Sequence, residues 1–252
     1  MKFTVISAIY GNLSVVKECM SSWFPLPPNW NLIVYNSKIS DLDGTTEYLK
    51  QIQKDHNFII LEDGQTRSHT SAIRKLLKHV DGDWILHLDS DAKLINRSFF
   101  EWIEATKLQR MKYKVWGRVP NRVSSKIDNR PEFKDVMYLP RCHQWLLMFE
   151  KKYILEKNIN FDDILIEGKI GSYNSHLESE DRVVKYQTEN FIKIFGDTSW
   201  QLYWESVGDD AFINFPLDGY KCWQHLNNKS CQWERDNITI INNAGIRKTN
   251  ED

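Results

Sequence analysis

Through its first hundred residues the chain alternates short apolar runs with segments whose apolar positions recur every three or four residues. The β-branched run "FTVISAIY" (3–10) predicts a strand, and "LSVVKECMSSWF" predicts a helix with Leu13, Val16, Met20 and Trp23 on one face. "WNLIVYN" (30–36) predicts a second strand, and "GTTEYLKQIQK" (44–54) a helix with Thr45 or Thr46 near its cap. "FIILE" (58–62) predicts a third strand. "SHTSAIRKLLKHV" (68–80) predicts a helix that faces inward with Ile73, Leu76, Leu77 and Val80 and stops at Asp81-Gly82. "WILHL" (84–88) predicts a fourth strand, followed by a helix over "SFFEWIEATKL" (98–108) capped by Ser98. Strands and helices in this order form βαβ crossovers, and hence a parallel sheet. Such sheets bind ligands beyond the carboxyl ends of their strands. There the sequence places Tyr10-Gly11-Asn12, Tyr35-Asn36, Glu62-Asp63-Gly64 and Asp89-Ser90-Asp91, each directly after an apolar run.

The alternation stops after residue 110. Residues 107–141 hold ten basic and three acidic side chains, and "GRVPNRVSSKIDNRPEFK" within them is loop-like. "HQWLLMF" (143–149) predicts a strand, "KKYILEKN" a short helix, and "GYKCWQHL" (219–226) a strand ending at His225. "DTSWQLYWESVG" (197–208) opens with an aspartate at a helix-cap position.

Composition adds bounds. With 41% hydrophobic residues, 27% charged and a net charge of −1, the 252-residue chain has the make-up of a soluble globular protein. That charge gives no positive case for binding duplex nucleic acid. Ten tryptophans give mild support to a sugar or base pocket, although most indoles simply pack. Cys19, Cys142, Cys222 and Cys231 match no metal-binding spacing and are expected as reduced thiols. "MKFTVISAIYG" is expected as a first strand rather than a signal peptide. No run approaches the ~18 apolar residues of a membrane span, and a cytoplasmic location is expected.

The chemistry centres on "DWILHLDSDAKLI" (83–95). Side chains alternate along an extended chain, so Asp89 and Asp91 share a face. Two like charges at a strand end raise each other's pKa unless a cation lies between them. Hard carboxylates suit Mg²⁺ or Mn²⁺. A solvated turn also accommodates two acids, but these two follow a buried strand.

"VISAIYGN" at the first strand, "DGTTEYL" after the second, "EDGQTRSHTSAI" after the third and "GDWILHLDSDAKL" at the fourth together resemble the nucleotide-sugar glycosyltransferases of GT-A fold, most of all the inverting family 2. The resemblance covers about the first 110 residues and resumes at "QWLLMFEKKYILEKNINFDD" and "FGDTSWQLYWESVG". It implies an α/β, Rossmann-like GT-A domain with a mostly parallel central sheet flanked by helices and an irregular acceptor-side C-terminal half. Residues 1–110 would form the nucleotide-sugar-binding half of this single domain, and residues 111–252 the acceptor-binding half.

The resemblance also implies roles. Ala8 and Tyr10 would hold the base, with Asn36 where the family usually has an aspartate. Asp63 would lie near the base, and Arg67 near the base or diphosphate. Asp89 and Ser90 would contact the donor, while Asp89, Asp91 and the late His225 would hold Mn²⁺ or Mg²⁺. Asp197 resembles the family's acidic residue beneath the acceptor and would be the general base. Asp181 and the pair Asp209-Asp210 are its rivals, while His69, His79 and His143 have no comparable context. The basic stretch 107–141 is either a solvated loop or a patch for an anionic acceptor: a glycan, a lipid phosphate or a nucleic acid. The expected function is metal-dependent transfer of a sugar, from a UDP-sugar above other donors, to an acceptor hydroxyl with inversion. Two alternatives share these features: a non-catalytic nucleotide- or sugar-binding module, and a nucleotidyltransferase that makes nucleotide sugars.

Overall fold

The computed structural model describes residues 1–118, 136–138, 141–161, 164–167, 193–196, 199–226 and 248–249. Its centre is a seven-stranded sheet. The strands, in chain order, are β1 (Phe3–Ile9), β2 (Trp30–Asn36), β3 (Ile59–Leu61), β5 (Trp84–Leu88), β7 (Val115–Gly117), β9 (Leu146–Glu150) and β12 (Phe212–Asn214). Between and after them come the short strands β4 (Thr66–Arg67), β6 (Ala92–Leu94) and β13 (Trp223–His225). The backbone further forms β8 (Val136–Tyr138), β10 (Ile164–Glu167), β11 (Lys193–Gly196) and β14 (Lys248–Thr249).

The order across the large sheet is β12-β7-β9-β5-β1-β2-β3. The strands β3, β2, β1 and β5 run parallel, as the alternation predicts. β9 enters between β5 and β7 antiparallel to both. Periodicity carries no direction, so this reversal is invisible in the sequence.

Helices cover both faces: α1 (Leu13–Trp23), α2 (Thr45–Gln53), α3 (His69–Leu77), α4 (Ser98–Ala105), α5 (Lys107–Lys112), α6 (Lys151–Glu156), α7 (Trp200–Gly208) and α8 (Leu217–Tyr220). The period-two alternation of each strand divides the core in two. On one face Phe3, Val5 and Ile9 of β1, Leu32 and Val34 of β2, and Trp84, Leu86 and Leu88 of β5 pack against α1 and α4. On the other, Ile6, Ala8, Ile33, Tyr35 and Ile85 pack against Ala72, Ile73 and Leu76 of α3. Six tryptophans, Trp23, Trp30, Trp84, Trp116, Trp145 and Trp223, are core residues. The tryptophan content therefore reflects packing far more than a sugar-lined pocket. Cys19, Cys142 and Cys222 are buried free thiols, and Cys231 lies outside the described residues. Among the described residues no helix is long and apolar enough to cross a membrane.

Three caps differ from expectation. The α2 N-cap is Gly44, with φ 79°, and the Asp43 carboxylate accepts from the Thr45 amide, so the threonines lie within the helix. Ser98 is the first residue of α4, and its amide is satisfied by Asn96 Oδ1 at 3.0 Å. The helix expected to open at Asp197 begins at Trp200, with Ser199 as N-cap, and Asp197 lies outside the described residues. In the segment expected as a strand over 219–226, Gly219 and Tyr220 belong to α8, and only Trp223–His225 is extended.

Candidate active site

The strands β1, β2, β3 and β5 all end at one edge of the sheet, where the chain turns away through polar residues. Gly11 and Asn12, with φ of 88° and 64°, take the left-handed turn from β1 into α1. Ala8 is buried in β1 opposite Tyr35 of β2, and Tyr10 follows at the strand end. Asn36 is 4% exposed; its amide donates to Thr46 Oγ1 at 3.0 Å and Glu62 Oε1 at 2.8 Å. Its Oδ1 has no partner among the described residues.

Asp63 is the hub of the β3–α3 connection. It accepts from Arg67 Nε and Lys75 Nζ, both at 2.7 Å, and from the Tyr35 hydroxyl at 3.1 Å. Burial alone pushes this carboxyl up, but the bonds from Lys75, Arg67 and Tyr35 outweigh it and hold the pKa at about 2. Burial, and then the Asp63 charge, push the Tyr35 hydroxyl up. Arg67 is 7% exposed and also donates to Ser71 Oγ at 3.1 Å. It lies in β4 and organises this loop.

The two aspartates at the end of β5 differ. The Asp89 side chain is 30% exposed and that of Asp91 only 4%. Ser90 between them is buried. The chain then forms β6, which pairs antiparallel with β13, placing His225 opposite Ala92. The Leu226 amide closes this ribbon on the Asp91 carbonyl at 3.0 Å. His225 Nε2 is thereby held 3.1 Å from Asp91 Oδ1, and the ring stacks on Trp145 at 5.2 Å. Burial opposes the imidazolium, but Asp91 and then Asp89 outweigh it and raise the His225 pKa.

The donor set fits a divalent cation. One ligand atom from each of Asp89, Asp91 and His225 lies within 4.8 Å of the others. His225 Nε2 is shielded from solvent and not aligned for a hydrogen bond, despite its closeness to Asp91. A nitrogen beside a carboxylate, but not bonded to it, suits two groups aimed at a common ion.

Sequence reasoning missed two histidines here. His69, the first residue of α3, has Nε2 3.6 Å from Asp89 Oδ1. His87 lies two residues before Asp89 on the same face of β5, and its ring centroid is 5.4 Å from that of His69. Burial, and then the nearby His69, push the His87 pKa down to about 3, against the pull of Asp89. Asp89 itself is pushed up by burial but held below the usual carboxylate range by His69, His87 and His225. The signal available in the sequence was a histidine at an inward position of an otherwise apolar strand.

The second half contributes less. Asp181 and Asp197 lie outside the described residues. Asp209 and Asp210 precede β12, which runs parallel to β7 and so in the sense of β5. They therefore stand at the edge where the parallel strands begin, opposite Asp89. Asp209 also accepts from Tyr153 at 2.8 Å and pairs with Lys157 at 2.7 Å. In the basic stretch, Arg110 is 2% exposed and packs over Phe3, Lys112 pairs with Asp210, and Lys114 with Glu150. These cations are engaged within the fold. Burial, and then the nearby charges of Arg141 and Arg118, push the His143 pKa down, against the pull of Asp89.

Residues 4–105 match the model of Glycosyl transferase family 2. A dolichyl N-acetyl-alpha-D-glucosaminyl phosphate 3-beta-D-2,3-diacetamido-2,3-dideoxy-beta-D-glucuronosyltransferase of Methanococcus voltae is 22% identical over 224 residues, covering 76% of this chain and 68% of that protein. Among solved structures, the mannosyltransferase PcManGT from Pyrobaculum calidifontis, in complex with GDP-Man and Mn²⁺, is 18% identical with a TM-score of 0.49. That match covers 87% of this chain and 58% of the other. S. aureus TarS 1-349 in complex with UDP is 14% identical, with a TM-score of 0.45, 87% of this chain covered and 62% of that one. The chain thus spans about three fifths of the length of these solved relatives. Residues 4–105, with their parallel strands and the acidic turn after β5, are thus similar to glycosyltransferase family 2, and the fold is α/β with a mostly parallel central sheet flanked by helices, GT-A-like.

Proposed function

We propose that this glycosyltransferase moves a sugar from a nucleoside diphosphate donor, a UDP-sugar above others, to an acceptor hydroxyl with inversion, and that it requires Mn²⁺ or Mg²⁺. The observation that carries the reading is the convergence of Asp89, Asp91 and His225 at the carboxyl edge of the sheet. The same edge carries Ala8, Tyr10, Asn36 and the Asp63–Arg67–Lys75 cluster, which would receive the base and ribose. A cation held by Asp89, Asp91 and His225 would neutralise the charge that builds on the leaving diphosphate.

The half over 1–110 then binds the donor and that over 111–252 the acceptor. Asp197 is the proposed base. It takes the proton of the acceptor hydroxyl as that oxygen attacks the anomeric carbon, while the bond to the diphosphate breaks on the opposite face. Its placement is supported by Ser199, two residues on, whose hydroxyl donates to the Cys142 carbonyl at 2.8 Å. Cys142 packs against Gly117 at the carboxyl end of β7, so α7 starts at the site's edge. Arg118 and Arg141 make an anionic acceptor the favoured class.

Titration calorimetry of UDP tests the reading. With Mn²⁺ present, binding is expected to be at least ~10-fold tighter than in EDTA, as for a metal that shares the phosphates with the protein. Equal affinity in the two buffers would remove the cation from donor binding.

A further inference from the structure

β5 is buried on both faces, and the layer that takes its Ile85 also holds Ile6 and Ile33 of β1 and β2 and Ala72, Ile73 and Leu76 of α3. An apolar side chain is what this layer calls for at position 87. The chain places a histidine there, 1% exposed, and its Nε2 has no hydrogen-bond partner among the described residues. A buried, unpaired polar nitrogen is costly, so its retention calls for a ligand. The groups around it supply one kind of chemistry. His69 stands across from it on α3, and Asp89 follows it on the same face of β5. One ligand atom from each of His69, His87 and Asp89 lies within 4.8 Å of the others.

We propose that His69, His87 and Asp89 form a second metal site, adjacent to the Asp89–Asp91–His225 set and sharing Asp89 with it. Two imidazoles and one carboxylate make a nitrogen-rich donor set, which favours a borderline transition ion such as Zn²⁺ or Co²⁺ over Mg²⁺. The carboxylate-rich set favours a hard ion instead. Asp89 can serve both, because a carboxylate has two oxygens and about four acceptor directions. It is also the more open of the two aspartates, with a 30% exposed side chain, and His69 is open to a similar degree at 31%. An ion therefore has a path from solvent to the site, past His69, while His87 closes it from the core side. The site stands on these three residues and is independent of any sugar transfer.

The test uses the full chain, stripped with a chelator, and metal alone with no nucleotide. Asp91→Asn with His225→Gln removes the carboxylate-rich set, leaving only the proposed site. Titrated with Co²⁺, this double variant is expected to bind one ion with visible absorption from nitrogen ligation, and Zn²⁺ is expected to displace it. Adding His69→Gln, at the half-open rim where folding is least at risk, is expected to weaken binding by at least the ~10–100-fold that even an outer partner of a metal ligand is worth. His87→Leu should do the same from the core side. If the double variant takes up no Co²⁺, or if His69→Gln leaves its affinity unchanged, the second site does not exist and the histidines are packing residues. A failure of the donor reading would appear in UDP binding and leave this titration untouched.

Discussion

At the scale of single residues, two aspartates separate structure from chemistry. Asp63 is held at about pKa 2 against an ordinary 3.8 by Lys75, Arg67 and Tyr35, in spite of its burial. A depressed carboxylate contributes stability that is fully present above its unfolded value and disappears as pH falls towards its folded value. The gap corresponds to about 2 kcal/mol. Asp63→Asn is therefore expected to lower unfolding stability by about that amount at neutral pH. The difference from wild type should shrink as pH drops from about 4 to 2, as measured by urea denaturation across that range. A constant difference would show that the amide merely packs badly. Asp197 is the base proposed above, and the N-cap of α7 is Ser199. Asp197→Asn and Asp197→Ala are both expected to cut kcat ~10²–10⁴-fold with nucleotide affinity unchanged. Steady-state turnover near wild type in either variant would assign the base elsewhere, with Asp181 the next candidate.

At the scale of elements, the sequence disclosed what has a period and hid what does not. The strands at 30–36 and 84–88 were legible to the residue because both ends are cut by polar turns. β7, β12 and β13 have three residues each, too few for any alternation to show. The Asp89-Ser90-Asp91 turn was legible as chemistry because acids follow an apolar strand. The nearness of His69 to Asp89 was not, because it depends on how α3 lies across the sheet. Gly82 illustrates the same limit. It was expected to stop the helix over 68–80, but α3 already ends at Leu77, and the structural role of Gly82 is clearance. A Cβ there would fall 2.6 Å from Thr4 Oγ1, 3.0 Å from the Thr4 amide nitrogen and 3.1 Å from the Phe3 carbonyl carbon. Backbone in β1, an interior strand of the sheet, cannot retreat cheaply, so Gly82→Ala is expected to destabilise by ~1–3 kcal/mol. An unchanged denaturation midpoint would mean that the 81–83 turn moves aside.

At the scale of the whole molecule, the large sheet is stitched from both ends of the chain. The strands β1, β2, β3 and β5 come from the first ninety residues, and β7, β9 and β12 extend the sheet from later ones. The polar edge of the parallel strands was legible because it is local: each strand end carries its own polar residues. The place of β13 beside β6 was not, because residues 94 and 223 meet only through the tertiary fold. The β6–β13 ribbon has its own consequence, which concerns order in time. Synthesis delivers Asp89 and Asp91 long before His225, and until β13 pairs with β6 the His225 imidazole is not beside Asp91. A chain that ends short of residue 225 lacks that third donor. The ribbon thus makes the Asp89–Asp91–His225 set available only to a chain folded through its late segment, so that capture of an ion by this set would report on completed folding.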